Sequence, residues 1–129
     1  MKNIKGVFFL MTMLSVGCYN QGSKIDDFTD FRHNFYADSL FQVNHIVFPL
    51  KGIDSDRMEI DDTVYVWQQK EDWQFINDMT KYGDVITDIS KNDSIVTELS
   101  HLDYGGLWFL TQFKKINNDW FLIRFEKVY

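Results

Sequence analysis

The C-terminal stretch L107-W-F-L-T-Q-F-K-K-I116, N117-N-D119, W120-F-L-I-R-F-E-K-V128 sets the tightest limit on the fold. Two long runs rich in aromatic and aliphatic residues flank a short polar turn. Asn and Asp tolerate the positive φ that a tight hairpin needs, so two antiparallel strands are predicted. Alternation places Phe109, Thr111 and Phe113 on one face and Trp108, Leu110 and Gln112 on the other. In the final strand Phe121, Ile123 and Phe125 should oppose Trp120, Leu122 and Arg124. Large apolar groups fall on both faces, so the sheet should be covered on one side and only partly open on the other.

Upstream, the strand signal continues. V85-I-T-D-I-S90 and I95-V-T-E-L-S-H-L102 read as strands joined by the turn K91-N-D-S94. T63-V-Y-V-W-Q68 is β-branched and aromatic, a further strand. V47-F-P-L-K-G52 is interrupted by Pro49, which lacks a ladder donor, and so should be an edge or kinked strand before an acidic loop. Ser23 can cap a helix starting near Ile25, with Asp26, Asp27 and Asp30 favouring its positive end. Phe28, Phe31 and Phe35 form its single apolar stripe. Asp38 or Ser39 can cap a second short helix carrying Leu40, Phe41 and Val43. Trp73, Ile76 and Met79 recur at helical spacing, which predicts a helix over 70–81 ending at Gly83.

Helices first and strands after is an α+β order. The expected fold is N-terminal helices packed on a curved antiparallel β-sheet, in one domain over residues 25–129. The chain of 129 residues has a single proline and 45% hydrophobic residues, enough for one real core. It shows no internal repeat and no low-complexity segment.

The N-terminus has a different logic. Lys2 and Lys5 precede an apolar run from Gly6 to Val16, then Gly17 and the only cysteine, Cys18. The run is short of the roughly 20 residues that a spanning helix needs, and it reads as a secretory signal over residues 1–17. Gly17 before Cys18 resembles the lipobox of bacterial lipoproteins. Ser15 stands where leucine is usual and Leu14 lies one step further out, a departure common in Bacteroides-type lipoproteins. The resemblance implies that Cys18 becomes the new N-terminus, joined by thioether to diacylglycerol and carrying palmitate-type acyl chains. Two such chains anchor stably at about 0.8 kcal/mol per buried CH₂. Residues 18–24 would then be a tether reaching about 20 Å when extended. The alternative is ordinary secretion with cleavage nearby and a free thiol. A catalytic Cys18 is disfavoured by its place ahead of the folded domain, and one cysteine cannot form a disulfide within the chain.

Charge narrows the partners. The net charge is −6, and removal of Lys2 and Lys5 with the signal takes it to −8. Such a chain repels phosphate backbones and shows no basic patch, so no nucleic acid is expected. Asp54, Asp56, Glu59, Asp61 and Asp62 could in principle hold calcium, but an EF-hand loop starting at Asp54 would need glycine where Glu59 stands. A solvated acidic loop is the better reading. His33, His45 and His101 show no ligand spacing, so neither metal nor cofactor is expected. D103-Y-G-G106 is read chiefly as a strand-to-strand turn; in a cone-shaped sheet Asp103 and Tyr104, with Trp108, would flank the mouth of a pocket. The tryptophans and Tyr65 are read mostly as core.

The stretch from Phe28 to Leu50 resembles a family of uncharacterised lipoproteins from Bacteroides-type bacteria. The residues that carry this are Phe28, Phe31, Phe35, Asp38, the pair Phe41-Gln42 and Phe48-Pro49-Leu50. The closing hairpin around F113-K-K-I-N-N-D-W-F-L122 resembles that of cone-shaped domains like nuclear transport factor 2. These resemblances imply a curled sheet wrapped on helices, with a pocket in the cone and no activity to carry over. The expected function is a non-catalytic binding domain in the cell envelope, anchored to membrane through Cys18 and facing periplasm or cell surface. Its partner would be a protein or a small apolar ligand. Two rivals stand beside it: an enzyme using Asp103 or Tyr104 with a histidine, and an immunity-type lipoprotein whose acidic face meets a basic toxin.

Overall fold

A computed structural model describes residues 27–57 and 65–129 of the chain. The expected signal segment, Cys18, the expected tether, the expected helix start near Ile25, and Glu59, Asp61 and Asp62 lie outside the described residues. Two helices come first, α1 (Asp27–Ala37) and α2 (Ser39–Asn44). Strands follow as β1 (Ile46–Asp54), β2 (Tyr65–Trp67), β3 (Val85–Asn92), β4 (Ile95–Leu102), β5 (Trp108–Ile116) and β6 (Asp119–Val128). They form one six-stranded sheet in the order β2-β1-β6-β5-β4-β3. The domain is mostly sheet, with the helices ahead of it in the chain.

The sheet is mixed, not wholly antiparallel as expected. β3 to β6 are linked by short turns, which force antiparallel neighbours. Asn117 and Asn118 sit at φ 50° and 65°, the left-handed pair that the closing hairpin requires. No such turn links β1 to β6, and these two run parallel, with Lys51 opposite Arg124 and Asp54 opposite Lys127. Pro49 does not lie on an edge strand, because β1 sits between β2 and β6. It kinks the strand: pairing with β6 stops after Ile46–Leu122 and resumes at Lys51–Arg124. Beyond the kink, Gly52 belongs to β1 and opposes Phe125. A Cβ there would lie 1.7 Å from the Phe125 carbonyl oxygen, so only glycine allows this approach.

α1 forms as its phenylalanine spacing predicts. Phe28, Phe31 and Phe35 are buried and converge on Phe113 of β5, with ring centroids 5.1–5.6 Å apart at tilted edge-to-face angles. Asp38 caps α2 by accepting from the Leu40 and Phe41 amides at 2.8 and 2.9 Å. α2 then inverts its expected polarity: Leu40 is 68% exposed and Gln42 is fully buried.

The inner face carries Val96, Phe113, Trp120 and Leu122 under the helices. Strict alternation fails in β6. Phe113 pairs with Leu122 and Gln112 with Arg124, so Ile123 is an extra residue in a bulge. The bulge brings Phe125 onto the same face as Trp120 and Leu122, where alternation alone had separated them.

The expected helix over 70–81 is absent. Two 3-10 turns, Lys70–Asp72 and Met79–Lys81, flank an irregular segment instead. Its hydrogen bonds go to Gln42. The Gln42 carbonyl oxygen accepts from Ile76 N at 2.9 Å and Trp73 Nε1 at 3.0 Å; its amide nitrogen donates to Ile76 O and Phe35 O, both at 3.0 Å. One buried side chain thus pairs both backbone groups of Ile76, at the middle of the segment, in place of helical partners. Tertiary contacts overrule a helical spacing that is weak on its own.

Candidate functional site

An open cavity of about 500 Å³ lies over the half of the inner face that the helices leave free. Its origin is dimensional. The 11 residues of α1 extend about 16 Å, whereas the ten of β6 extend about 33 Å. The described helix is therefore about half as long as the longest strand. Ser100, Leu102, Phe109, Thr111, Phe125 and Lys127 line it from the sheet, with Trp67 of β2 and the irregular segment from Trp73 to Tyr82 beside them. The volume and the mostly apolar wall with a few polar groups are those of small-molecule sites.

At the inner end of the cavity stands a polar network reached from three elements. Glu98 of β4 is 3% exposed. Its carboxylate accepts from Arg32 Nε of α1 at 2.5 Å, from the Tyr36 hydroxyl at 2.9 Å and from Thr111 Oγ1 at 3.4 Å. Arg32 also donates to both oxygens of Asp78, each at 2.9 Å, in the wall segment. Asp78 in turn accepts from the amide and hydroxyl of Thr80, and so caps the 3-10 turn Met79–Lys81. A single guanidinium thus clamps helix, sheet and wall together through a planar two-toothed contact.

The electrostatics follow. Burial pushes the Asp78 carboxyl up, but bonds from Arg32 and Thr80 outweigh it and hold the group at about 2. Burial likewise opposes the Arg32 charge, and its two carboxylate partners more than compensate, raising it above its usual value. Burial, then the Glu98 charge, drives the Tyr36 phenol well above its usual range, so it stays protonated and donates to Glu98. Every oxygen of Glu98 is already engaged, so this end of the cavity is a set polar surface.

The outer end is different. Asp54, Asp56, Asp84 and Lys127 line it. Asp56 accepts from Lys127 Nζ at 2.6 Å and from the Tyr129 hydroxyl at 3.1 Å, tying the C-terminus to the end of β1. These bonds lower Asp56 and raise Lys127 from their ordinary values. The acidic loop expected only to be solvated is thus partly structural.

The residues that the sequence singled out lie elsewhere. Asp103 and Tyr104 sit in the exposed β4–β5 turn, and Tyr104 is 77% exposed. Gly105 and Gly106, at φ 80° and 96°, serve that turn. Trp108 pairs with His101 on the outer face, opposite the cavity, because Phe109 and Ser100 take the inner positions. None of Asp103, Tyr104 and Trp108 lines the cavity, and none of the three histidines does. Sequence reading missed Glu98, Arg32 and Tyr36. Their signals were faint: an inward-facing Glu between Val96 and Ser100, and an Arg and a Tyr bordering the phenylalanine stripe. Among the described residues no cluster of His, Cys, Asp and Glu could hold a metal ion, and no helix is long and apolar enough to cross a membrane. No protein-family model matches the sequence, and no curated protein matches it.

Proposed function

We propose that this chain is a cell-envelope binding domain, lipid-anchored at Cys18, that takes a small, largely apolar ligand in the cavity and does no chemistry on it. The cavity of about 500 Å³ carries the reading. It has the size and lining of a ligand site, and its one deeply buried acid is saturated by Arg32, Tyr36 and Thr111. A general base needs a lone pair within reach of substrate and a partner to relay the proton; Glu98 has its oxygens occupied and no histidine lines the wall. The finer fold reading, a cone-shaped domain like nuclear transport factor 2, draws support from helices that precede the sheet and from a hollow over the half they leave uncovered.

Two experiments test the proposal. Native mass spectrometry of the protein extracted from its own membranes should show a small molecule released on denaturation, and ligand addition should shift the emission of Trp67 and Trp73. No adduct, with no emission change across a library of apolar small molecules, would sink the binding role. Cys18→Ser should move the protein from the membrane to the soluble fraction; retention in the membrane would refute the anchor.

A further inference from the structure

We infer that the cavity selects an organic cation, an amine or quaternary ammonium bearing an apolar body. This rests on the binding role proposed above and narrows it to one ligand class. Two independent features of the wall agree. The first is aromatic. Trp67, Trp73 and Phe125 pack on one another with ring centroids 5.4–5.5 Å apart. The Trp73 ring is held in place by its bond to the buried Gln42. Trp67 and Phe125 are each only 4% exposed, so the half-buried Trp73 offers the cavity most of this aromatic surface, whose negative quadrupole potential attracts a poorly hydrated cation and gives nothing to an anion.

The second feature is the sign of the charge. The lining includes the carboxylates Asp54, Asp56, Asp84 and Glu98 against one ammonium, Lys127. The lining stays net negative when Arg32, which faces Glu98, is counted in. Among the described residues Lys127 is the one cation that lines the cavity, and Asp56 holds it at 2.6 Å. An anionic ligand would meet the outer carboxylates, and among the described lining residues the one cation is already paired. A neutral one would gain only the apolar contact. A cation with an apolar body gains both the contact and the field.

The test is a matched series on the purified full chain: hexyltrimethylammonium, 1-hexanol and hexanoate, titrated by tryptophan emission and by calorimetry at low ionic strength. The ammonium should bind about tenfold more tightly than the alcohol, and hexanoate most weakly. Added salt should narrow the gap, because the outer carboxylates are partly exposed. Asp84→Asn, at an exposed position that leaves the core alone, should narrow it by about threefold. Equal or tighter binding of the alcohol would overturn the cation preference while leaving the cavity's binding role intact. Binding of none of the three would overturn that role and this inference with it.

Discussion

Gln42→Met is the sharpest probe of how this fold holds its cavity open. Methionine keeps the length and flexibility of the side chain and removes its polar atoms. Four hydrogen bonds disappear: one from the Ile76 amide, one from Trp73 Nε1, one to the Ile76 carbonyl and one to the α1 carbonyl of Phe35. At about 1 kcal/mol net for each, the loss is about 4 kcal/mol if the stranded groups stay buried. If the wall segment lifts off and its backbone finds water, the loss falls to about 2 kcal/mol, and the segment becomes locally open. Either value is a large share of the 5–15 kcal/mol typical of a whole domain. Urea unfolding followed by circular dichroism measures the first quantity. Hydrogen exchange at the Ile76 amide and the red shift of Trp73 emission report the second. A change below about 1 kcal/mol, with Ile76 still protected, would refute the claim that Gln42 replaces the missing helix.

Three further predictions concern the same framework. Arg32→Met should cost about 3 kcal/mol, since it strands the buried Glu98 carboxylate, and adding Glu98→Gln should recover part of that loss in a double-mutant cycle by urea unfolding. Asp78 titrates at about 2 in the folded chain against an ordinary 3.8. A depressed folded value means stabilisation that is complete above about pH 4 and lost as pH falls through about 2. Asp78→Asn should flatten that acid slope, worth about 2 kcal/mol, in unfolding measured across the window. Gly52→Ala should lower stability by about 2 kcal/mol or more, read as a fall in Tm, because its Cβ would need the space of the Phe125 carbonyl.

Local rules explain where the chain could be read directly. The Asn117-Asn118 turn, the Asp38 cap and the Phe28, Phe31 and Phe35 stripe each depend on neighbours within a few residues. Their chemistry survives any tertiary context. The misreadings share an opposite cause. The helix expected over 70–81 was lost to Gln42, distant in sequence, and the facing of Phe125 was changed by one extra residue in β6. Both depend on a partner that periodicity cannot see. The candidate site was the least legible part. The turn read at D103-Y-G-G106 forms and leaves Tyr104 in solvent, while the pocket mouth that a cone would place beside Asp103, Tyr104 and Trp108 does not, because the pleat turns Trp108 outward.

The sequence by itself determined the hairpin strands, the order of helices before sheet, the acidic charge and the apolar run ahead of Cys18. These follow from alternation, turn chemistry and composition, which act over short spans. Tertiary structure alone decided that β1 runs parallel to β6, that Arg32 bridges Glu98 and Asp78, and that a helix shorter than the strands leaves half the inner face open. Those outcomes depend on relative lengths and on contacts between residues tens of positions apart. No local pattern encodes them, because the energy that selects them appears only when the layers meet.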